Sequence, residues 1–265
     1  MINVKKTILI SGSAVITKNQ LRYYSGLKDR KNREECGLFI AEGLKTVTEG
    51  VISGIDCEAI IVSDKSSAKE AIINDRLFKN CKLLPLDHED FKKISDTENS
   101  QGVIGIFKRA PLMTNDITSN KLIVLNQIAD PRNMGTIIRT ADWFGYNELL
   151  ISEDSVDIFN TKVVRSTMGS IFHIKFFVTK EIVPHLKLLQ QNGYKVLTAD
   201  MNGKDYRKIG QVNNRAIIFS NESRGPAQDI LDLTDDLITI PGDGKAESLS
   251  VAIAASIIMA EYASK

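Results

Sequence analysis

Three polar stretches of this chain combine residue types that chemistry needs, and each stands next to an apolar run. The first begins Asn126-Gln127-Ile128-Ala129-Asp130-Pro131-Arg132-Asn133-Met134-Gly135 and reaches Arg139 and Thr140. There a strand ends, Asp130-Pro131 turns the chain, and Asn133 is placed to cap a helix. Gly135 permits close approach, and Arg139 follows Asn133 by nearly two helical turns. Anion binding at such a helix start is physically natural. A cap at Asn133 and a surface ion pair at Arg139 explain the same residues equally well.

In the second stretch, Ile217-Ile218-Phe219 runs into Ser220-Asn221-Glu222-Ser223-Arg224. Gly225-Pro226 then opens a helix with proline at its first position. Glu222 is where a ligand-facing carboxylate belongs, and equally where a carboxylate holds a loop by accepting backbone N–H bonds. The third runs from Ile240-Pro241 through Gly242-Asp243-Gly244-Lys245 to Glu247-Ser248-Leu249-Ser250, a glycine-rich loop that offers backbone groups to a ligand.

Several familiar chemistries are missing. No G-x-G-x-x-G follows a strand, and no G-x-x-x-x-G-K-[ST] occurs. There is no G-x-S-x-G elbow. His88, His173 and His185 are scattered without metal-ligand spacing, and Cys36, Cys57 and Cys81 include no C-x-x-C pair, so no metal is expected. The three thiols read as reduced cysteines of a cytoplasmic protein. What remains is positioning and group transfer.

The elements that must position these loops read as alternating strands and helices, hence α/β. Residues 122–125 begin a second run of alternation, a mostly parallel sheet with helices on both faces and ligands beyond the carboxyl ends of the strands. The run ends in a helix over residues 249–260 that is apolar or small on all faces, which must be buried. Its twelve residues are too few for a membrane span of about twenty. Residues 108–120 mix charge, Pro, Asn, Ser and Thr without period and read as a linker. Residues 1–17 read as a short leader or first strand, too short in apolar run for a signal peptide.

A length of 265 residues suits two domains, and 43% hydrophobic with 25% charged residues is ordinary for a globular protein. A net charge of +1 means that nucleic acid would have to be met by a local patch. Residues 19–35 supply one, read as a single helix with a basic end carrying Arg22, Lys28, Arg30, Lys31 and Arg33 beside Tyr23 and Tyr24. Phosphate contact plus stacking suits RNA, although a solvated helix face explains the same charges.

The three loops, in this order and spacing, resemble the SpoU, or TrmH-like, RNA 2'-O-ribose methyltransferases of the SPOUT class. Asp130-Pro131-x-Asn133-x-Gly135-x-x-x-Arg139-Thr140 matches the first motif and Asn221-Glu222-x-x-Gly225 the second. Ile240-Pro241 through Glu247-Ser248-Leu249, with the helix over 251–255, matches the third. The match covers residues 121–265. Residues 18–107 resemble the L30e-like substrate-binding domain that precedes it, through Lys31-Asn32-Arg33 and Gly37-Leu38-Phe39-Ile40-Ala41-Glu42-Gly43.

The resemblance implies S-adenosylmethionine as cofactor, a C-terminal trefoil knot, a homodimer, and an RNA partner, ribosomal RNA ahead of transfer RNA. It puts Asn133, Arg139, Glu222 and Ser250 at the catalytic positions. Ser220, Asn221, Ile240, Pro241 and Leu249 fall at the cofactor, mainly through backbone groups. The family has asparagine where this chain has Ser250. That departure leaves room for a catalytically weak or inactive RNA-binding protein on the same scaffold, and a transfer-RNA enzyme is a further alternative.

Overall fold

The computed structural model describes residues 16–110, 112, 117–210 and 212–263. The leader expected over residues 1–17 therefore lies almost wholly outside the described residues, as does the middle of the expected linker. The chain divides into two compact units, residues 1–109 and 110–265.

The first unit runs α1 (Lys18–Gly26), α2 (Arg30–Cys36), β1 (Leu38–Glu42), α3 (Leu44–Ile52), β2 (Cys57–Ser63), α4 (Lys69–Asn74), β3 (Leu83–Leu86), α5 (His88–Ile94) and β4 (Val103–Lys108). Its four strands lie in the order β1-β4-β2-β3, with β4 antiparallel to both neighbours and β2 parallel to β3. The single helix read over residues 19–35 is two. Asp29 accepts a bond from Lys31 N at 2.8 Å and starts a new helix, and Gly37 ends it in the left-handed region at φ 66°.

The second unit runs β5 (Lys121–Asn126), α6 (Pro131–Trp143), β6 (Glu148–Ser152), α7 (Thr161–Thr167), β7 (Lys175–Thr179), α8 (Ile182–Gln191), β8 (Lys195–Asp205), β9 (Arg215–Ser220), α9 (Gln228–Leu231), β10 (Asp236–Thr239) and α10 (Val251–Ala263). The order β10-β8-β9-β5-β6-β7 is parallel at every pairing. Leu122 and Val124, Leu150, Phe177, Val196, Ala216 and Ile218 turn one face toward Ile182, Leu186 and Leu189 of α8 and Ile230 of α9. The 182, 186, 189 spacing is one stripe of a helix. α6 packs instead against α7 and α10, and α10 reaches β9, so helices cover both faces. Between β8 and β10 the register jumps after Leu237, and a Cβ on Gly203 would come within 2.5 Å of the Ile238 backbone. Only glycine fits that approach.

Two buried ionic groups secure the ends of this unit. Glu148 accepts from Thr118 N, Thr118 Oγ1 and Ser119 N at 2.8–2.9 Å, which fastens the segment entering β5 to β6. Arg215 is 1% exposed and donates to the carbonyls of Val212 and Tyr262, and Lys121 Nζ donates to Ala263 O at 3.0 Å. Cations at a helix C-terminus satisfy its last carbonyls. The closing helix is less enclosed than its composition implied. Val251, Ala255, Ile258, Met259 and Tyr262 are buried, but Ile253 is 49% exposed.

Candidate functional site

At the end of β5 the chain turns through Gln127, one of two non-glycine residues with positive φ among the described residues. Gln127 N donates to Ser152 Oγ at 2.8 Å and its carbonyl accepts from Asn221 Nδ2 at 3.1 Å. The helix that follows is capped by Asp130, which accepts from Arg132 N at 2.7 Å and Asn133 N at 2.9 Å, with Pro131 at the first helical position. The sequence reading gave that cap to Asn133. Because proline favours the first helical position, the residue before it caps, which puts Asn133 inside the first turn with its amide free for another partner.

That partner is Glu222. Asn133 Nδ2 donates to Glu222 Oε1 at 3.1 Å, and Val251 N, the first N–H of α10, donates to the same oxygen at 2.6 Å. One carboxylate thus joins the start of α6, the loop after β9 and the start of α10, which are the three sequence stretches. The negative charge also suits the N-terminus of that helix. Thr140 Oγ1 meets Ser256 Oγ at 3.2 Å and ties α6 to α10 further along.

The remaining predicted residues divide by environment. Arg139 is exposed and makes no hydrogen bond or ion pair with another described residue. Ser250 Oγ accepts from Ile253 N at 3.4 Å and Ser250 O accepts from Ala254 N at 3.0 Å, the pattern of a helix cap with a long side-chain bond. Asn221 uses its side chain on the loop itself, accepting from Ser223 N at 2.9 Å and Arg224 N at 3.3 Å. Ser220 is 8% exposed, and its hydroxyl is a buried group with no partner among the described residues. Ile240 is half-buried, while Pro241 and Leu249 are exposed.

One local reading changes, and two readings of glycines gain a context. Pro226 does not open a helix, because α9 starts at Gln228 after a cap at Ala227. Gly135 serves helix packing, since a Cβ there would lie 2.4 Å from Ser166 Cβ and 2.7 Å from Val163 O of α7. In the third stretch, a Cβ on Gly242 or Gly244 would meet nothing within 4 Å, so no close approach among the described residues demands those glycines. No group of His, Cys, Asp or Glu among the described residues could hold a metal ion.

In the first unit the basic cluster is mostly engaged within the chain. Arg33 is corrected outright: it is 1% exposed and its guanidinium donates to the carbonyls of Leu27 and Lys28 at 2.8 Å. It holds the turn between α1 and α2, and a phosphate has no access to it. Lys28 Nζ donates to Ser95 O at 2.7 Å, Arg30 pairs with Glu34 at 2.8 Å and Lys31 with Glu35 at 3.8 Å. These last three are exposed, and such surface pairs are weak enough to be exchanged for phosphate. Tyr24 is core, with its hydroxyl donating to Glu58 at 2.9 Å, whereas Tyr23 stays 44% exposed. Sequence reasoning passed over Trp143, at the end of α6 and 83% exposed. A lone tryptophan ending an amphipathic helix was its only signal.

Comparison with known proteins adds the family context. Residues 120–260 match the SpoU rRNA Methylase family and residues 18–105 the MRM3-like substrate binding domain. The chain is 32% identical over 244 residues to the 23S rRNA (guanosine(2553)-2'-O)-methyltransferase of Bacillus subtilis (strain 168), covering 91% of this chain and 95% of that one. An AdoMet-bound rRNA methyltransferase from Sinorhizobium meliloti superposes with a TM-score of 0.81 at 26% identity, over 94% of this chain and 97% of the other. The SpoU methyltransferase AviRb from Streptomyces viridochromogenes shares the fold, with a TM-score of 0.82 at 19% identity over 94% and 98%.

Proposed function

The chain belongs to the SpoU rRNA methylase family, and from that premise we propose that it transfers a methyl group from S-adenosylmethionine to a ribose 2'-hydroxyl in ribosomal RNA. The observation that carries this reading is the carboxylate of Glu222, which bonds both Asn133 and Val251 and so draws the three motifs to one place. Beside it the Ser220 hydroxyl is buried without a partner among the described residues, a polar group that fits a bound cofactor. Ser220, Asn221, Ile240, Pro241 and Leu249 would hold S-adenosylmethionine, chiefly through backbone groups. Bound there, it supplies a sulfonium methyl, already a strong electrophile.

The chain's own residues then have to align and discharge. Alignment alone contributes several kcal/mol, of order 7 or more in favourable cases. Arg139, exposed and unpaired, holds an RNA phosphate and steadies charge developing on the ribose oxygen. A guanidinium keeps its proton, with a pKa above about 12, so the hydroxyl proton leaves to water or another acceptor. Asn133 and Glu222 fix the geometry. Lys28, Arg30 and Lys31 of the first unit meet RNA phosphates.

No described helix is long and apolar enough to cross a membrane, and a cytoplasmic location is part of the proposal. Exposed Trp143, Leu249 at 46% and Ile253 at 49% support a homodimer through α6 and α10. The knot expected for the family would involve the path from β9 through β10 to α10. Calorimetric titration with S-adenosylmethionine, together with mapping of 2'-O-methyl sites in ribosomal and transfer RNA with and without the gene, tests the proposal. Cofactor binding plus one lost ribosomal site supports it, and a lost transfer-RNA site redirects it. One observation favours a second reading, an RNA-binding scaffold of low activity: the Ser250 hydroxyl is engaged as a helix cap. Under that reading no methylation site is lost.

A further inference from the structure

Behind the loop that carries Gln127 lies a cleft of about 380 Å³, on the α8 and α9 side of the sheet. Its walls come from the ends of β5 and β6, the start of α8 and the start of α9. None of its lining residues belongs to the set assigned above. Asn126 is 8% exposed, and its carboxamide has no hydrogen bond among the described residues. The Gln127 carboxamide is likewise without a bond. Both carboxamides are thus unengaged by the described residues and open to a group that enters the cleft. These two amides line the cleft with Ile182 and Val183 from α8, and with the carboxylates of Asp154 and Asp229.

The composition selects a class of occupant. Lys180 is the only cation in the lining against the carboxylates of Asp154, Glu181 and Asp229, which disfavours a phosphate. Two amides each offer a donor and an acceptor, the carboxylates add acceptors, and the aliphatic wall gives a flat face something to lie on. A planar group with adjacent donors and acceptors matches this set. Among nucleobases guanine matches it best, with N1–H and the N2 amino group as donors to carboxylate and O6 and N7 as acceptors for amide N–H. The cleft also joins the methylation site directly. Asn126 lies opposite Ser220 in the register of β5 and β9, and Gln127 O is held by Asn221 Nδ2.

We propose that this cleft seats an unstacked guanine base of the substrate RNA, read by the Asn126 and Gln127 carboxamides. The proposal rests on the methyltransferase reading and adds the group that selects the nucleotide. The test uses the full chain, labelled at isoleucine and valine methyl groups and saturated with S-adenosylmethionine to keep nucleosides out of the cofactor site. It is titrated in turn with guanosine, adenosine, cytidine and uridine.

The expected result is a saturable shift of the Ile182, Val183 and Ile230 methyl signals with guanosine, at least about fivefold tighter than with the other three. Asn126→Ala and Gln127→Ala should each weaken guanosine about tenfold, with calorimetric S-adenosylmethionine affinity unchanged. Either variant suffices if the other folds poorly. Absence of any shift at millimolar nucleoside, or equal binding of all four nucleosides untouched by both variants, would overturn the proposal. Failure of S-adenosylmethionine itself to bind would instead overturn the methyltransferase reading on which it rests.

Discussion

Replacing Glu222 by alanine separates its scaffolding work from any chemical work. The substitution removes the acceptor shared by Asn133 Nδ2 and Val251 N. Bonds to a charged acceptor contribute about 1.5–3 kcal/mol each when buried, but this side chain is exposed and water can replace it, so about 1 kcal/mol each is the better figure. Loss of negative charge at the N-terminus of α10 adds about 0.3–1 kcal/mol. The total of about 2–3 kcal/mol corresponds to a melting temperature lower by roughly 5–10 °C for a unit of this size. Glu222→Gln keeps the shared acceptor oxygen without its charge and should lose less than half of that. Asn133→Ala should cost about 1 kcal/mol, and the double variant should show coupling of at least about 0.5 kcal/mol with Glu222→Ala. Scanning calorimetry at fixed protein and cofactor concentration measures all four. If Glu222→Ala melts with the parent and loses only methyl transfer, the carboxylate acts on the substrate and the scaffolding argument is wrong.

Arg139→Lys keeps the charge but loses the planar fork, so turnover should fall about 100-fold while S-adenosylmethionine affinity is unchanged, and near-normal turnover would remove Arg139 from its role. Burial alone would raise the pKa of Glu148, but hydrogen bonds from Ser119 and Thr118 and the charge of Lys175 outweigh it and hold the carboxyl below its usual range. Its contribution is therefore fully present above the unfolded value of about 4.3 and is lost as pH falls through the lower folded value. Glu148→Ala should cost about 3 kcal/mol at pH 7 in urea unfolding, and this gap should narrow toward pH 3. Trp143→Ser should leave the fold of one chain intact, because the ring is 83% exposed, and should weaken self-association at least about tenfold in sedimentation equilibrium.

The strands of both units were legible because a fully buried parallel strand is an unbroken apolar run, as in Leu122-Ile123-Val124-Leu125, and most helices because their apolar stripe repeats. What failed were choices between residues with the same propensity. Asp130 and Asn133 are both good caps, and only the position of Pro131 decides between them. Arg33 counts as a cation in any tally of charge, yet its guanidinium holds a turn that the sequence had read as continuous helix. Within the candidate site the residue types were legible but their partnership was not, since Asn133 and Glu222 are 89 residues apart and a carboxylate that binds and one that holds look alike in sequence.

The closing helix shows the deeper reason. A helix without a polar face must be covered all round, but its sequence does not say by what. One chain covers Val251, Ala255, Ile258 and Met259 and leaves Ile253 half open, with exposed Leu249 just before the helix and exposed Trp143 on neighbouring α6. A composition that requires complete burial, met by a chain that provides only part of it, argues for a second apolar surface. Leu249 is also a proposed cofactor residue. Loss of that second surface should therefore weaken S-adenosylmethionine binding as well as assembly, which makes cofactor affinity in Trp143→Ser a check on both.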